Sequence, residues 1–184
     1  VDGHVTVDRA LLDRLPALGL VACSSAGFEM LDVAEMTRRG IRLTNTSDAL
    51  VGEVANVAVL LMLAARRRLV VADAHVRSGG WGRQGALPLT PGTDGKRAGI
   101  VGLGNIGMAI ARRCAALGQE VGYYGRREKA GVGYPFFGDL EALAAWADVL
   151  LVATPGGAGT KGLISGPVLD ALGPEGTLVN VGRG

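Results

Sequence analysis

The residues best suited to chemistry stand in one run, Gly102-Leu103-Gly104-Asn105-Ile106-Gly107, between an apolar segment and an amphipathic one. Three glycines at that spacing meet three steric needs: a sharp turn at Gly102, close approach of backbone to a bulky anion at Gly104, and close helix-on-strand packing at Gly107. Together they would leave a pyrophosphate at a helix N-terminus, where free amides and the helix dipole favour negative charge. A glycine-rich turn without a ligand is the plainer alternative. About 20 positions further on, where a residue reading the ribose belongs, the sequence has Gly125-Arg126-Arg127. An Asp or Glu there would accept from both ribose hydroxyls and repel a 2′-phosphate. Glycine followed by two arginines removes the repulsion and offers bidentate phosphate donors. The pattern predicts NADP(H) in preference to NAD(H), with a solvated arginine turn as the competing reading.

Two further stretches fall at strand ends. Thr154-Pro155-Gly156-Gly157 follows the apolar run Val149 to Ala153, so it belongs at the carboxyl edge of a sheet, where open α/β folds bind ligands, or it is a simple turn. Val179-Asn180-Val181-Gly182-Arg183-Gly184 ends another such run and delivers one arginine, a cation suited to a small carboxylate, or, taken without the glycine run, a plain surface residue. Thr154, Pro155, Thr160, Val181 and Gly182 join the glycine run as expected cofactor contacts, and Arg183 as the expected substrate anchor. No metal site is expected, because only His4 and His75 supply imidazoles and Cys23 and Cys114 form no CxxC pair.

These groups need strands and helices to position them. From Ala98 the pattern alternates: strand Ala98 to Val101, helix Ile106 to Leu117, strand Glu120 to Tyr124, helix Asp139 to Ala145, strand Val149 to Ala153, helix Pro167 to Leu172, strand Thr177 to Val181. Strict alternation predicts a parallel sheet wrapped by helices, a Rossmann-type doubly wound fold. Ahead of it, Val5 to Leu18 reads as helix, Leu20 to Cys23 as strand, Leu31 to Arg39 as helix and Ile41 to Asn45 as strand. Ser47 or Asp48 then caps one long helix through about Val76, apolar all round in its middle and so buried, with Arg66, Arg67 and Arg68 marking its emergence into water. Arg77 to Gly95, rich in Gly and Pro, reads as a linker or wrapping loop. The expected division is residues 1–75, 76–95 and 96–184, with the boundary near Pro91.

Composition narrows the classes further. With 19 Lys and Arg against 17 Asp and Glu, and no long single-sign run, nucleic acid is a poor partner. The longest apolar run, Val54 to Ala65, is too short to span a bilayer, so no membrane association is expected and a cytoplasmic setting is. A chain that starts at Val1 is expected to lack its true start, so the absence of a leader carries little weight.

Taken together, SSAGFEMLDV, RGIRLTNTSDALVGEVANVAVLLMLAARRR, VRSGGW, GKRAGIVGLGNIGMAIARR, YYGRRE, ADVLLVATPGG and ISGPVLDALGPEGTLVNVGRG resemble the D-isomer-specific 2-hydroxyacid dehydrogenase family over essentially the whole chain, most of all its NADP-dependent hydroxypyruvate, glyoxylate and hydroxyphenylpyruvate reductases. The resemblance implies a Rossmann-type nucleotide domain plus a flavodoxin-like substrate domain, both incomplete here. It implies hydride transfer between NADPH and C2 of a small 2-oxo acid, giving a D-2-hydroxy acid, with Arg183 holding the substrate carboxylate and carbonyl. Backbone amides of Ala26 and Gly27 would grip the carboxylate, and the long interdomain helix region would make a homodimer. The family's proton donor, a His supported by a Glu, is expected past Gly184; neither His4 nor His75 takes its place. Alternatives of the same fold are a nucleotide-sensing corepressor-like protein and an NAD-linked phosphoglycerate or formate dehydrogenase.

Overall fold

In the computed structural model, which describes residues 1–182, the chain divides into two compact units: Val1–Gly52 with Pro155–Lys161, and Glu53–Thr154 with the residues from Gly162 on. The first contains α1 (Arg9–Asp13), β1 (Leu20–Ala22), α2 (Val33–Arg38) and β2 (Arg42–Thr44). Each helix starts on an aspartate whose carboxylate accepts an otherwise orphaned amide: Asp8 from Leu11 and Asp32 from Glu35. β1 and β2 pair in parallel, Leu20 opposite Arg42 and Ala22 opposite Thr44. Val7, Leu12, Val21, Cys23, Leu31, Met36 and Ile41 form their common core.

The second unit takes nearly all of α3 (Val51–Arg66), then α4 (Leu69–Arg77), α5 (Gly80–Gln84), β3 (Arg97–Val101), α6 (Asn105–Ala116), β4 (Glu120–Tyr124), β5 (Phe136–Phe137), α7 (Leu140–Trp146), β6 (Val149–Val152), α8 (Gly166–Leu172) and β7 (Thr177–Asn180). Its five strands are all parallel, in the order β5-β4-β3-β6-β7, so the chain reverses its direction of growth at β3. That reversal opens a crevice at the carboxyl ends of β3 and β6. Strand residues alternate between two cores. On one face Ala98, Ile100, Val121, Tyr123, Val149 and Leu151 meet α6 and the Ala55, Ala58 and Met62 stripe of α3. On the other, Val101, Leu150 and Val152 meet α7 and Val168 of α8. Gly99 is required there, since a Cβ would stand 2.8 Å from Leu150 Cδ2 and 3.0 Å from Leu143 Cγ.

The parallel α/β architecture is as the alternation predicts, and several local expectations change. The packing boundary falls at Gly52, not near Pro91, because Ala55, Ala58 and Met62 bury themselves on the nucleotide-type sheet. The single long helix is two helices, broken where Arg68 takes a left-handed conformation at φ 49°, and it begins at Val51 after a turn over residues 47–50. It is not buried all round, since Val57, Leu60 and Leu61 lie exposed, while Arg66, expected in water, is buried. Within the expected linker, Gly80–Gln84 is helical, and the crossover from β4 leads to β5 without an intervening helix.

At the amino edge of the sheet Asp148 gathers charge. Its carboxylate accepts the Arg97 amide at 2.9 Å and pairs with Lys96 and Arg97 side chains at 3.7 Å, while the Arg66 guanidinium reaches the Asp148 carbonyl at 3.4 Å. Burial alone would raise its pKa, but the Arg97 amide and the neighbouring cations outweigh that and hold the carboxyl below its ordinary value. A carboxylate with a depressed folded-state pKa stabilises the fold above its unfolded pKa, near 3.9, and loses that contribution as pH falls toward the folded value. Asp148→Asn is therefore expected to lower the melting temperature by about 2–4 °C at neutral pH. The gap to the parent chain should close as thermal melts are taken from pH 5 to below pH 4.

Candidate functional site

At the carboxyl end of β3 the three glycines occupy three distinct environments. Gly102 turns the chain at φ 92°, its N–H donating to the Tyr124 carbonyl at 2.9 Å, and a Cβ there would lie 2.8 Å from Thr154 Cγ2. Gly107 sits against the strand it follows, where a Cβ would stand 2.0 Å from the Gly102 carbonyl oxygen. Gly104 differs from both: a Cβ there would meet nothing within 4 Å, so the space beside it is open. It caps α6 with no side-chain hydrogen bond, and its carbonyl accepts the first helical bond, from Met108, at 2.9 Å. Leu103 is buried beneath the turn, Ile106 packs on the core from the helix's first turn, and Asn105 opens the helix. Backbone amides at an uncapped helix end beside a cradle that a side chain would fill suit the diphosphate of a dinucleotide.

Gly125, Arg126 and Arg127 follow the end of β4, the neighbouring strand. Both arginines are exposed, and neither is held by an ion pair among the described residues. The ends of β3, β6 and β7 converge through backbone. Ala153 N–H donates to Val101 and Val181 N–H to Val152, while Gly182 lies so close to Thr154 that a Cβ would stand 2.6 Å from its carbonyl oxygen. The Asn180 side chain fixes Gly182 by accepting its N–H at 2.9 Å. Sequence spacing alone did not single out Asn180. Thr154 is thus brought beside Gly102, and Gly182 beside Thr154, whereas Pro155 and Thr160 group with the first unit. There the Thr160 hydroxyl donates to the Pro155 carbonyl at 2.7 Å. Arg183 lies outside the described residues.

In the first unit Ala26 and Gly27 belong to a loop whose carbonyls are all tied back. Ser24 accepts from the Thr46 hydroxyl, Ser25 from the Thr46 amide, Ala26 from Asn45 Nδ2 and Ser47 Oγ, and Gly27 from the Cys23 thiol. Gly3 lets the chain pass close beneath, since a Cβ on it would stand 2.1 Å from the Gly27 oxygen. With the carbonyls engaged, the Ala26 and Gly27 amides are left as donors. Asn45, Thr46 and Ser47, which set this arrangement, were invisible as site residues, because their partners lie about 20 positions earlier. Burial pushes the Cys114 thiol up to about 11, which keeps it protonated at neutral pH.

A five-stranded parallel sheet reversing at a glycine-lined helix N-terminus defines a dinucleotide-binding domain of the Rossmann class. The model of the D-isomer specific 2-hydroxyacid dehydrogenase NAD binding domain matches residues 59–184, and the chain belongs to that family. It is 41% identical over 183 residues to hydroxyphenylpyruvate reductase of Plectranthus scutellarioides, spanning all of this chain and 58% of that protein. To glyoxylate/hydroxypyruvate reductase A of Arabidopsis thaliana it is 42% identical, spanning 96% of this chain and 56% of that one. Among solved structures it is similar to the NADPH-dependent glyoxylate/hydroxypyruvate reductase of Sinorhizobium meliloti in complex with NADP and malonate. The TM-score is 0.90 at 42% identity, covering all of this chain and 57% of that chain. The chain therefore spans somewhat under three fifths of the length of these relatives.

The glycine environments separate cofactor binding from folding. Gly104→Ala is expected to leave the melting temperature nearly unchanged while weakening NADPH binding in a fluorescence titration. Gly107→Ala is expected to cost about 1–3 kcal/mol of stability in denaturant unfolding, because its Cβ must displace a backbone carbonyl.

Proposed function

We propose that this chain carries the cofactor site and part of the substrate site of an NADP(H)-linked reductase of small 2-oxo acids, of the hydroxypyruvate and glyoxylate kind, giving a D-2-hydroxy acid. The observation that carries the reading is the open glycine cradle at Gly104 followed, at the end of the next strand, by Gly125-Arg126-Arg127 without an acidic residue. The names of the relatives above support the substrate class. A bound nicotinamide would supply the hydride. The chain's own part is to hold and orient. Amides at the N-terminus of α6 take the diphosphate, and Arg126 and Arg127 take a 2′-phosphate as charge-assisted donors. Thr154, Val181 and Gly182 line the nicotinamide half with backbone, with Pro155 and Thr160 in the same role. Arg183 holds the substrate's carboxylate and the carbonyl oxygen on which negative charge develops, and the Ala26 and Gly27 amides grip the carboxylate.

A second copy of the chain is the proposed partner. Val57, Leu60 and Leu61 on α3, Leu69, Val70 and Val76 on α4, and Trp81 on α5 are all exposed, Val70 at 79%, an apolar surface of the kind that marks association. Among the described residues no helix is long and apolar enough to cross a membrane. Two buried free cysteines suit a reducing compartment, and cytoplasmic residence is part of the proposal.

Fluorescence titration of the chain should give tighter binding of NADPH than of NADH by about tenfold or more, and the R126A/R127A double variant should abolish that preference. Equal affinities in the parent chain would overturn the NADP(H) assignment. Val70→Glu together with Leu60→Glu should lower the sedimentation mass toward that of a single copy, and an unchanged dimer would move the interface elsewhere.

A further inference from the structure

The crossover from β4 to β5 carries the arginine pair without a helix to hold it. Residues 125–135 form a loop with glycines at 125, 131 and 133, and only its half-buried Val132 and Tyr134 pack on the core. Among the described residues, one hydrogen bond reaches residues 125–134: the Lys129 N–H donates to the Tyr123 phenol oxygen at 2.8 Å. Tyr123 also clamps the far end of the loop, since its own N–H donates to the Pro135 carbonyl at 2.9 Å, and its ring rests against Phe136 with centroids 5.4 Å apart. The ring is 1% exposed, so its position is fixed by the core.

We infer that Tyr123 is a specificity-determining positioning residue, whose buried hydroxyl holds the turn after β4 so that Arg126 and Arg127 present their guanidiniums to a 2′-phosphate. The inference rests on the NADP(H) reading above. Its physical basis is the division of tasks within one side chain. The ring satisfies the core, as a phenylalanine would. The hydroxyl contributes nothing to that packing, and its one partner is the backbone three residues beyond Gly125-Arg126. Long exposed arginines lose rotamer freedom when they clamp a phosphate, and a loop already held in place reduces what must be ordered on binding. Removing the hydroxyl keeps the ring's packing and gives up one part-buried hydrogen bond, so the fold should lose little.

Tyr123→Phe tests this by titration of the whole chain with NADPH, NADH and adenosine 2′,5′-bisphosphate. The variant should weaken NADPH and the bisphosphate by about three- to tenfold. NADH should stay within about twofold and the melting curve nearly unchanged. On the R126A/R127A background Y123F should have no further effect on the NADPH to NADH ratio, because the hydroxyl acts through those arginines. Equal weakening of NADPH and NADH would show a merely structural role and overturn the inference. So would a variant that keeps the parent's preference, and in that case the NADP(H) reading stands. A parent chain without preference removes that reading, and the inference with it.

Discussion

The Gly107 position rests on the carbonyl of Gly102, so close that no side chain fits between helix and strand. That contact decides where α6 begins, because the helix can lie across the end of β3 only if Gly107 lacks a Cβ atom, while Gly102 must lack one to turn past Thr154. From there the rest follows by packing. Ile110, Ala111 and Cys114 are carried into the core under the sheet, and the amides of the first turn are left at the carboxyl edge beside the open space at Gly104. The turn is also locked to the next strand, since the Gly102 amide is used by Tyr124. A candidate binding site made of backbone thus follows from the close helix crossing there.

The sheet's two edges divide polar work. The carboxyl edge carries the first-turn amides of α6 and the exposed Arg126 and Arg127, groups suited to an anion. At the amino edge Asp148 collects an amide and cations from Lys96, Arg97 and Arg66, so its charge is met within the protein. Arg66 is the part of this that connects furthest, since it brings the end of α3 to the start of β6 and thereby ties that helix to the sheet. The candidate site and the anchorage sit at opposite ends of the same strands, so the residues that stabilise the amino edge are not those of the candidate site.

How much of this could be read in advance depends on the range of the interaction. Strands β3, β4, β6 and β7, and the glycine run, were legible because each acts within a few residues: Gly102, Gly104 and Gly107 are specified by local sterics, and β6 reads as Val149-Leu150-Leu151-Val152, apolar on both faces. The ownership of α3 was not legible. Its sequence is apolar around the whole circumference, so nothing in it told that Ala55, Ala58 and Met62 face the sheet while Leu60 faces out. β5 was missed for the opposite reason, being only Phe136–Phe137, too short for any period to show. The left-handed Arg68 that breaks the long helix has no local signal, since arginine is an ordinary helix former.

The residues that escaped notice at the site share one feature, which is that side-chain groups act on backbone far from or beside them without touching a ligand. Asn45, Thr46 and Ser47 hold the carbonyls of Ser24 to Ala26, and the Tyr123 phenol holds the Lys129 amide. Motif reading finds the groups that meet a ligand, because their chemistry is written in residue type: arginine for phosphate, glycine for close approach. It does not find what keeps those groups in place, because an Asn amide or a Tyr hydroxyl can serve many purposes and its partner is backbone, which every residue has. Exposed Arg126 and Arg127 are legible by residue type, while the one hydrogen bond that reaches residues 125–134 among the described residues is accepted by the Tyr123 phenol, a side chain that the core alone would explain.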